Sequence, residues 1–260
     1  MKIVRTIEEA RAALPGAGVG LVPTMGALHA GHVALFEAAR DECAFVVASI
    51  FVNPAQFGPE EDFERYPRDE ERDAEAAQSA GVDLLFIPSH EEMYPPGFET
   101  WVDVEGPGSE NEARPGHFRG VATVCLKLFN IVHPERAYFG LKDAEQVVVI
   151  KRIVRDLDLD VEIRVAPTVR DPDGLAVSSR NVYLSDDERR RALGLPRALE
   201  AGAASHRVGG DPIAATRAAM NGLDVEYIDL VEIDGRGILE AAVRVGRTRL
   251  IDNVVLEGER

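Results

Sequence analysis

The sequence predicts an α/β fold: a Rossmann-like, mostly parallel sheet with helices on both faces, followed by a smaller α+β C-terminal domain. Three observations carry this. Strand-like and helix-like runs alternate over the first two thirds of the chain, as crossover helices joining parallel strands require. The run Ala44-Phe45-Val46-Val47-Ala48-Ser49-Ile50-Phe51-Val52 is almost continuously apolar, as in a strand buried on both faces. Past Arg170 the alternation gives way to turn signals, a charged helix and closely spaced strands.

In chain order, Gly18 to Pro23 reads as a strand and Gly31 to Glu42 as the helix after it. The long apolar run is the next strand, Arg68 to Ala80 a helix stopped by Gly81, and Val82 to Pro88 a further strand. Phe118 to Val132 carries apolar residues at helical spacing. Arg136 to Phe139 is a short strand, Asp143 to Leu157 a helix, and Val161 to Val165 a strand. These divide the chain into residues 1–169 and 170–260. In the second part, Asp171-Pro172-Asp173-Gly174 is a turn, and Ser185-Asp186-Asp187-Glu188 is a capping box. Gly202 to Pro212 is small and polar, which predicts a linker or surface loop. A helix (Ile213 to Asn221), a strand (Val225 to Ile233) and a strand pair (Ala241 to Val245, Thr248 to Val255) complete it.

Composition narrows the function. With 260 residues, 45% hydrophobic and 28% charged, the chain reads as a soluble globular protein. No apolar run reaches the ~20 residues that span a bilayer. The start, Met1 to Glu9, lacks the apolar core of a secretory signal. Cys43 and Cys125 form no CxxC pattern, so no metal site or disulfide framework is expected, and a reducing cytoplasm fits. A formal net charge of −16 argues against a nucleic-acid partner. Only four of the 29 basic residues are lysines: Lys2, Lys127, Lys142 and Lys151.

The chemistry-bearing stretches fall where strands end, which is where ligands bind in open α/β sheets. Pro23-Thr24-Met25-Gly26-Ala27-Leu28-His29-Ala30-Gly31-His32 sets two histidines three apart at a strand-to-helix corner, beside unpaired helix N–H groups suited to a nucleotide triphosphate. Asn53-Pro54-Ala55-Gln56-Phe57-Gly58 follows the long strand, with amides that orient hydroxyls and carboxylates without adding charge. Tyr138-Phe139-Gly140-Leu141-Lys142-Asp143-Ala144-Glu145-Gln146 places an ammonium at a helix start. Val177-Ser178-Ser179-Arg180-Asn181 suits a clamp on a triphosphate tail. Gly16-Ala17-Gly18-Val19-Gly20 precedes a strand and has the wrong spacing for a dinucleotide fingerprint, and no P-loop occurs. Arg114-Pro115-Gly116-His117-Phe118-Arg119-Gly120 is a Gly-rich basic turn of less specific meaning.

Taken in order, Pro23 to His32, Ile50 to Gly58, Tyr66-Pro67-Arg68, Arg114 to Gly120, Phe139 to Gln146 and Pro167 to Leu184 resemble the pantoate–β-alanine ligase (pantothenate synthetase) family, within the nucleotidyl-transferase-like group that shares a HxxH or HxGH corner. The resemblance implies condensation of pantoate with β-alanine. Pantoate's carboxylate attacks the α-phosphate of ATP to give pantoyl adenylate and pyrophosphate, and the amine then displaces AMP. It implies magnesium (Mg2+) accompanying ATP, and a homodimer. It implies that His29, His32, Lys142, Ser178 and Arg180 carry the chemistry, with His32 at the proton donor's position. Met25, Gly26, Ala27, Leu28, His29, Ala30, Gly31 and His32 would contact ATP. So would Gly140, Leu141, Lys142, Asp143, Val169, Val177, Ser178, Ser179 and Arg180. Gln56 and Gln146 would hold pantoate, Gln56 also β-alanine. Residues 1–169 would bind nucleotide and pantoate, and residues 170–260 would close over the ATP site.

The chain departs from the family at two of these positions. Leu141 stands where most members have Glu or Gln, and Val177 where they have Met. The chain is also somewhat shorter than typical members. Two other functions compete: a nucleotidyltransferase of cofactor biosynthesis, which keeps the nucleotide in its product, and a non-catalytic ATP-binding regulator. A transfer-RNA ligase fragment is disfavoured by the acidic balance.

Overall fold

The structure, a computed structural model, describes residues 1–59 and 61–257. In chain order it contains β1 (Lys2–Val4), α1 (Ile7–Ala13), β2 (Val19–Thr24), α2 (Ala30–Glu42), β3 (Phe45–Ile50), α3 (Glu70–Ser79), β4 (Leu84–Phe86), α4 (His90–Met93), α5 (Ser109–Ala113), α6 (His117–Val132), β5 (Arg136–Gly140), α7 (Ala144–Asp156) and β6 (Glu162–Ala166). Then follow α8 (Asp186–Ala192), α9 (Gly194–Arg207), α10 (Pro212–Ala219), β7 (Asp224–Ile233), β8 (Arg236–Val245) and β9 (Thr248–Leu256). The chain divides into two compact units. One comprises Met1–Glu105, Arg114–Gly140 and Val149–Ala166; the other comprises Gly106–Ala113, Leu141–Val148 and the chain from Pro167 onward. The second unit thus begins at Pro167 and also takes in residues 106–113 and 141–148, which a single cut at residue 169 assigns to the first.

The first unit is built on a six-stranded parallel sheet in the order β1-β4-β3-β2-β5-β6. On one face Val22, Val46, Ala48 and Leu85 pack with Leu35, Phe36 and Ala39 of α2. The alternate residues Leu21, Val47, Leu84 and Phe86 point to the opposite face and are also fully buried, so both faces are covered. Complete burial of Phe36 alone contributes about 2–3 kcal/mol. From β2 the chain winds outward one way through β3 and β4, and later the other way through β5 and β6. The carboxyl ends of β2 and β5 therefore flank the topological switch point, where this class of sheet opens a crevice.

The second unit is built on a three-stranded antiparallel sheet, β7-β8-β9, with α9 packed on β8 and β9. Leu195, Ala198 and Leu199 of α9 bury against Leu239, Ala241, Val243 and Leu250. Asp234 and Gly235, both left-handed (φ 53° and 76°), form the two-residue turn between β7 and β8.

The expected loop from Gly202 to Pro212 is corrected by the structure: α9 runs on to Arg207. The small residues there reflect close packing. A Cβ on Gly202 would sit 2.0 Å from the Thr216 Oγ1 of α10, so glycine is what lets the two helices meet. Strand β8 is twice as long as expected, because its first half holds the buried Glu240 and so breaks the apolar pattern. Elements β1 and α1 carried too short a signal to be read.

Candidate active site

The His-containing corner starts where β2 ends. Thr24 Oγ1 donates to the Ser49 carbonyl (2.7 Å) and accepts the Gly26 N–H (3.1 Å). The chain then turns through two left-handed residues, Gly26 (φ 80°) and Ala27 (φ 51°). The left-handed conformation costs a residue with a Cβ about 1–2 kcal/mol. Asp73 of α3 offsets this: its carboxylate accepts the N–H of Ala27 (2.8 Å) and of Leu28 (2.7 Å). Asp73 is buried, which pushes its carboxyl above the ordinary value, while the two N–H bonds pull it back. Gly26 has a second reason to be glycine, since a Cβ there would lie 2.9 Å from Asp73 Oδ2.

His29 is the N-cap of α2, and its Nδ1 accepts the Gly31 N–H (3.2 Å). His32 closes the box: its Nδ1 accepts the His29 N–H (3.3 Å). The rings stack with centroids 4.0 Å apart. A backbone N–H donates only into an unprotonated nitrogen, so each ring carries its hydrogen on Nε2 and presents that N–H as a donor. Gly31 is required for this arrangement, because a Cβ there would fall 3.0 Å from the His29 ring. The HxGH spacing is thus a device that fixes two imidazole donors at a helix N-terminus.

Gln56 ends the 3₁₀ turn Pro54–Gln56 after β3 and is buried. The fully buried Asn53 caps that turn. Its Nδ2 donates to Gln56 Oε1 (3.0 Å) and to the Gly120 carbonyl (3.1 Å), and its Oδ1 accepts from the Tyr94 hydroxyl (3.0 Å). With Oε1 engaged by Asn53, Gln56 has its amide N–H groups left as donors. The Gln56 carbonyl accepts from Arg114 Nη2 (3.1 Å) and His117 Nδ1 (2.8 Å), and Arg114 is ion-paired with Glu61 (2.5 Å). The basic turn Arg114 to Gly120 is therefore a buttress for Gln56. Gly120 permits it, since a Cβ there would meet the Ala55 carbonyl oxygen at 2.3 Å. A cavity of about 230 Å³ opens beside Gln56, lined also by Phe57, Trp101, His117 and Arg119.

Gly140 ends β5, the neighbour of β2, and Leu141-Lys142-Asp143 open the next segment. Within the second unit this segment is held by β9. Asn253 Nδ2 donates to the carbonyls of Leu141 (2.6 Å) and Lys142 (3.1 Å), and its Oδ1 accepts from Thr168 Oγ1 (3.3 Å). Lys142 is largely buried, with Nζ 3.5 Å from Asp143 Oδ1. Gln146 lies in the first turn of α7. Next to Asn253, Asp252 takes a bidentate bond from Arg170 (2.7 and 3.0 Å); burial pushes the Asp252 carboxyl up, opposed by Arg170. Arg170 and Ala176 bridge the ends of the Pro172–Gly174 turn, and the Val177 N–H donates to the Val169 carbonyl (3.0 Å), so Val169 and Val177 are brought together. Ser178 caps a 3₁₀ turn, Ser179–Tyr183, by accepting the Arg180 N–H (3.3 Å).

Glu145, beside Gln146, accepts the Glu110 N–H (2.7 Å) through Oε1. Its Oε2 and the Oε1 of Glu240 are buried with no donor side chain or N–H on them. Burial raises both carboxyls, and Glu145 raises that of Glu240 further, to about 10.

Within the first unit the structure brings Met25 to His32 into one corner and sets Gln56 in its own buttressed pocket. Within the second it ties Leu141 and Lys142 to β9 and Val169 to Val177. Sequence reasoning missed Asp73, Asn53, Asp252 and Asn253. Asp73 lies 45 and 46 residues, and Asn253 111 and 112 residues, from the backbone groups they hold, and neither belongs to a motif; Asn53 stands in the Asn-Pro turn, where its capping role was available. Leu141 contributes a carbonyl to this network, so the family departure in its side chain leaves the Asn253 bond intact.

Comparison with known proteins agrees over the whole length. The sequence signature of the family described as pantoate-beta-alanine ligase matches residues 2–255. The pantothenate synthetase of Chloroflexus aurantiacus is 51% identical over 280 residues, covering 100% of this chain and 99% of that protein. That of Roseiflexus castenholzii is 53% identical, covering 99% of this chain and 100% of its own length. The crystal structure of pantothenate synthetase from Thermus thermophilus superposes with a TM-score of 0.92 at 52% identity, covering 98% of this chain and 99% of that one. A pantoate-beta-alanine ligase from Francisella tularensis, solved with beta-gamma ATP and beta-alanine, gives a TM-score of 0.85 at 35% identity, covering 100% of this chain and 99% of that one. With two locked imidazoles at the switch point of a parallel sheet and full-length identity above one half, the chain belongs to the pantoate–β-alanine ligase family.

Proposed function

We propose that this chain condenses pantoate with β-alanine at the expense of ATP, releasing AMP and pyrophosphate through a pantoyl adenylate. The observation that carries the reading is the HxGH corner at the carboxyl end of β2, with both ring Nε2–H groups presented as donors, in a chain that matches the family from end to end.

In this reading a pantoate carboxylate oxygen bonds to the α-phosphorus as the bond to the bridging oxygen breaks, and pyrophosphate leaves with the electron pair. The neutral amine nitrogen of β-alanine then attacks the acyl carbon; the bond from that carbon to the AMP oxygen breaks, AMP leaves with the electron pair, and the nitrogen gives up a proton to solvent. Carboxylate attack needs no strong base, so catalysis is positioning plus charge stabilisation. His29 and His32 donate hydrogen bonds from Nε2–H to phosphate oxygens and so steady the negative charge that grows on the leaving side. Lys142 steadies the charge that grows on the α-phosphate. Met25 to His32, Gly140 to Asp143, Val169 and Val177 to Arg180 contact ATP. Gln56 and Gln146 hold pantoate through amide donors. Magnesium enters as part of the ATP substrate, held by phosphates and water as is usual for this ion. The protein acts in the cytoplasm as a homodimer.

The test is incubation with MgATP and pantoate, omitting the amine. A trapped acyl adenylate with one equivalent of pyrophosphate, discharged to AMP when β-alanine is added, is the expected result. A product that retains the nucleotidyl group would instead identify a nucleotidyltransferase, and binding of ATP without pyrophosphate release a regulator.

A further inference from the structure

Asp73 belongs to no motif, yet its carboxylate takes the N–H groups of the left-handed Ala27 and of Leu28, the two residues that lead into His29. Its two bonds, 2.7 and 2.8 Å, hold Ala27 in a left-handed conformation that a residue with a Cβ otherwise leaves. His29 follows directly, and its N–H orients the His32 ring. The chain of restraint is continuous: Asp73 fixes residues 27 and 28, their direction fixes the His29 backbone, and that backbone fixes both imidazoles. The carboxylate also engages two N–H dipoles of the corner. We propose that Asp73 is a positioning residue for adenylate formation, aiming His29 and His32 at the phosphates from behind the loop. This deepens the functional reading above and rests on it.

A cavity of about 290 Å³ lies against Asp73, lined also by Met25, Gly26, Ile50, Phe63 and Arg68, and it makes a specific test possible. Removing the side chain in Asp73→Ala leaves a carboxylate-sized gap open to that cavity, into which formate can diffuse. The readout is pantoate-dependent ATP–pyrophosphate exchange, normalised to active sites titrated by the pyrophosphate burst. For Asp73→Ala we expect kcat to fall roughly 10- to 100-fold, the scale of a misplacement near 1 Å, with the KM for ATP changed less than threefold. Formate at tens of millimolar restores at least a third of the lost kcat, and chloride does not. Asp73→Asn, which keeps one acceptor, falls between. A per-site kcat equal to wild type, or a loss that appears only as fewer titratable sites, overturns the proposal. His32→Ala is run alongside. If that variant keeps its exchange rate, the reading of the corner itself has failed, independently of Asp73.

Discussion

The raised carboxyl of Glu240 makes a quantitative prediction about stability. Glu240 is buried in the second unit, and its carboxyl is raised from an ordinary 4.5 to about 10. An acid raised in the folded state binds its proton more tightly there than in the unfolded chain. Between pH 4.5 and 10 the folded form keeps the proton and the unfolded form has lost it. Stability therefore falls as pH rises through that window, by about 1.4 kcal/mol per pH unit for one proton. Glu240→Gln keeps the shape of the side chain but removes its titrating carboxyl. Between about pH 6 and pH 8 the wild type should lose about 2–3 kcal/mol more than this variant. Urea unfolding at the two pH values, extrapolated linearly, measures the difference. Parallel pH dependence in wild type and variant would show that the pair carries no proton at neutral pH, and that the two bare acceptors are satisfied in some other way.

Further outcomes follow from the same geometry. Lys142→Ala should lower pantoyl-adenylate formation by roughly 100-fold or more, the usual cost of removing one charge-stabilising donor; near-normal single-turnover formation would remove Lys142 from that role. Gly120→Ala forces a Cβ against the Ala55 carbonyl and should destabilise the protein by about 1–3 kcal/mol, with a raised KM for pantoate because Gln56 shifts with the turn. Nitrogen-15 spectra of labelled histidine should place the hydrogen of His29 and His32 on Nε2 but that of His117 on Nδ1, where it donates to Gln56 while Nε2 faces Arg114. Asn253→Ala removes both bonds to the 141–142 carbonyls and should reduce kcat/KM for ATP about 10-fold, whereas Leu141→Gln, which keeps the carbonyl, should leave it within about twofold.

Much of the site was legible because its chemistry is local in sequence. His29, Gly31 and His32 form a capping box within four residues, so spacing alone reports the geometry. The β3 run and Gln56 are adjacent, so a strand-end argument finds the amide. The parallel sheet was legible for the same reason, since strand-like and helix-like runs alternate along this part of the chain. Longer-range restraints left no local mark. Asp73 reads as one more acid in a charged helix, and its burial becomes visible only when α3 is seen beside the β2–α2 loop. Asn253 looks like an interruption of an apolar strand. Gly202 misled in the opposite direction: a run of small residues signals a loop until a second helix is found pressed against it.

The restraints that escaped the sequence share a physical character: Asp73 and Asn253 both act on backbone atoms. Asp73 accepts two N–H groups of the His corner, and Asn253 donates to two carbonyls of the Lys142 turn. A backbone contact constrains where the loop runs without constraining which side chain the loop carries. That explains how Leu141 can stand in place of a polar residue while Lys142 beside it stays anchored. It also explains why the glycines at 26 and 31 have no such freedom. Their requirement is steric, imposed by Asp73 and by the His29 ring in turn, and any Cβ there would push on the very groups that set the imidazoles. Variation should therefore be tolerated at side chains of the gripping loops and excluded at the residues that grip and the glycines they close upon.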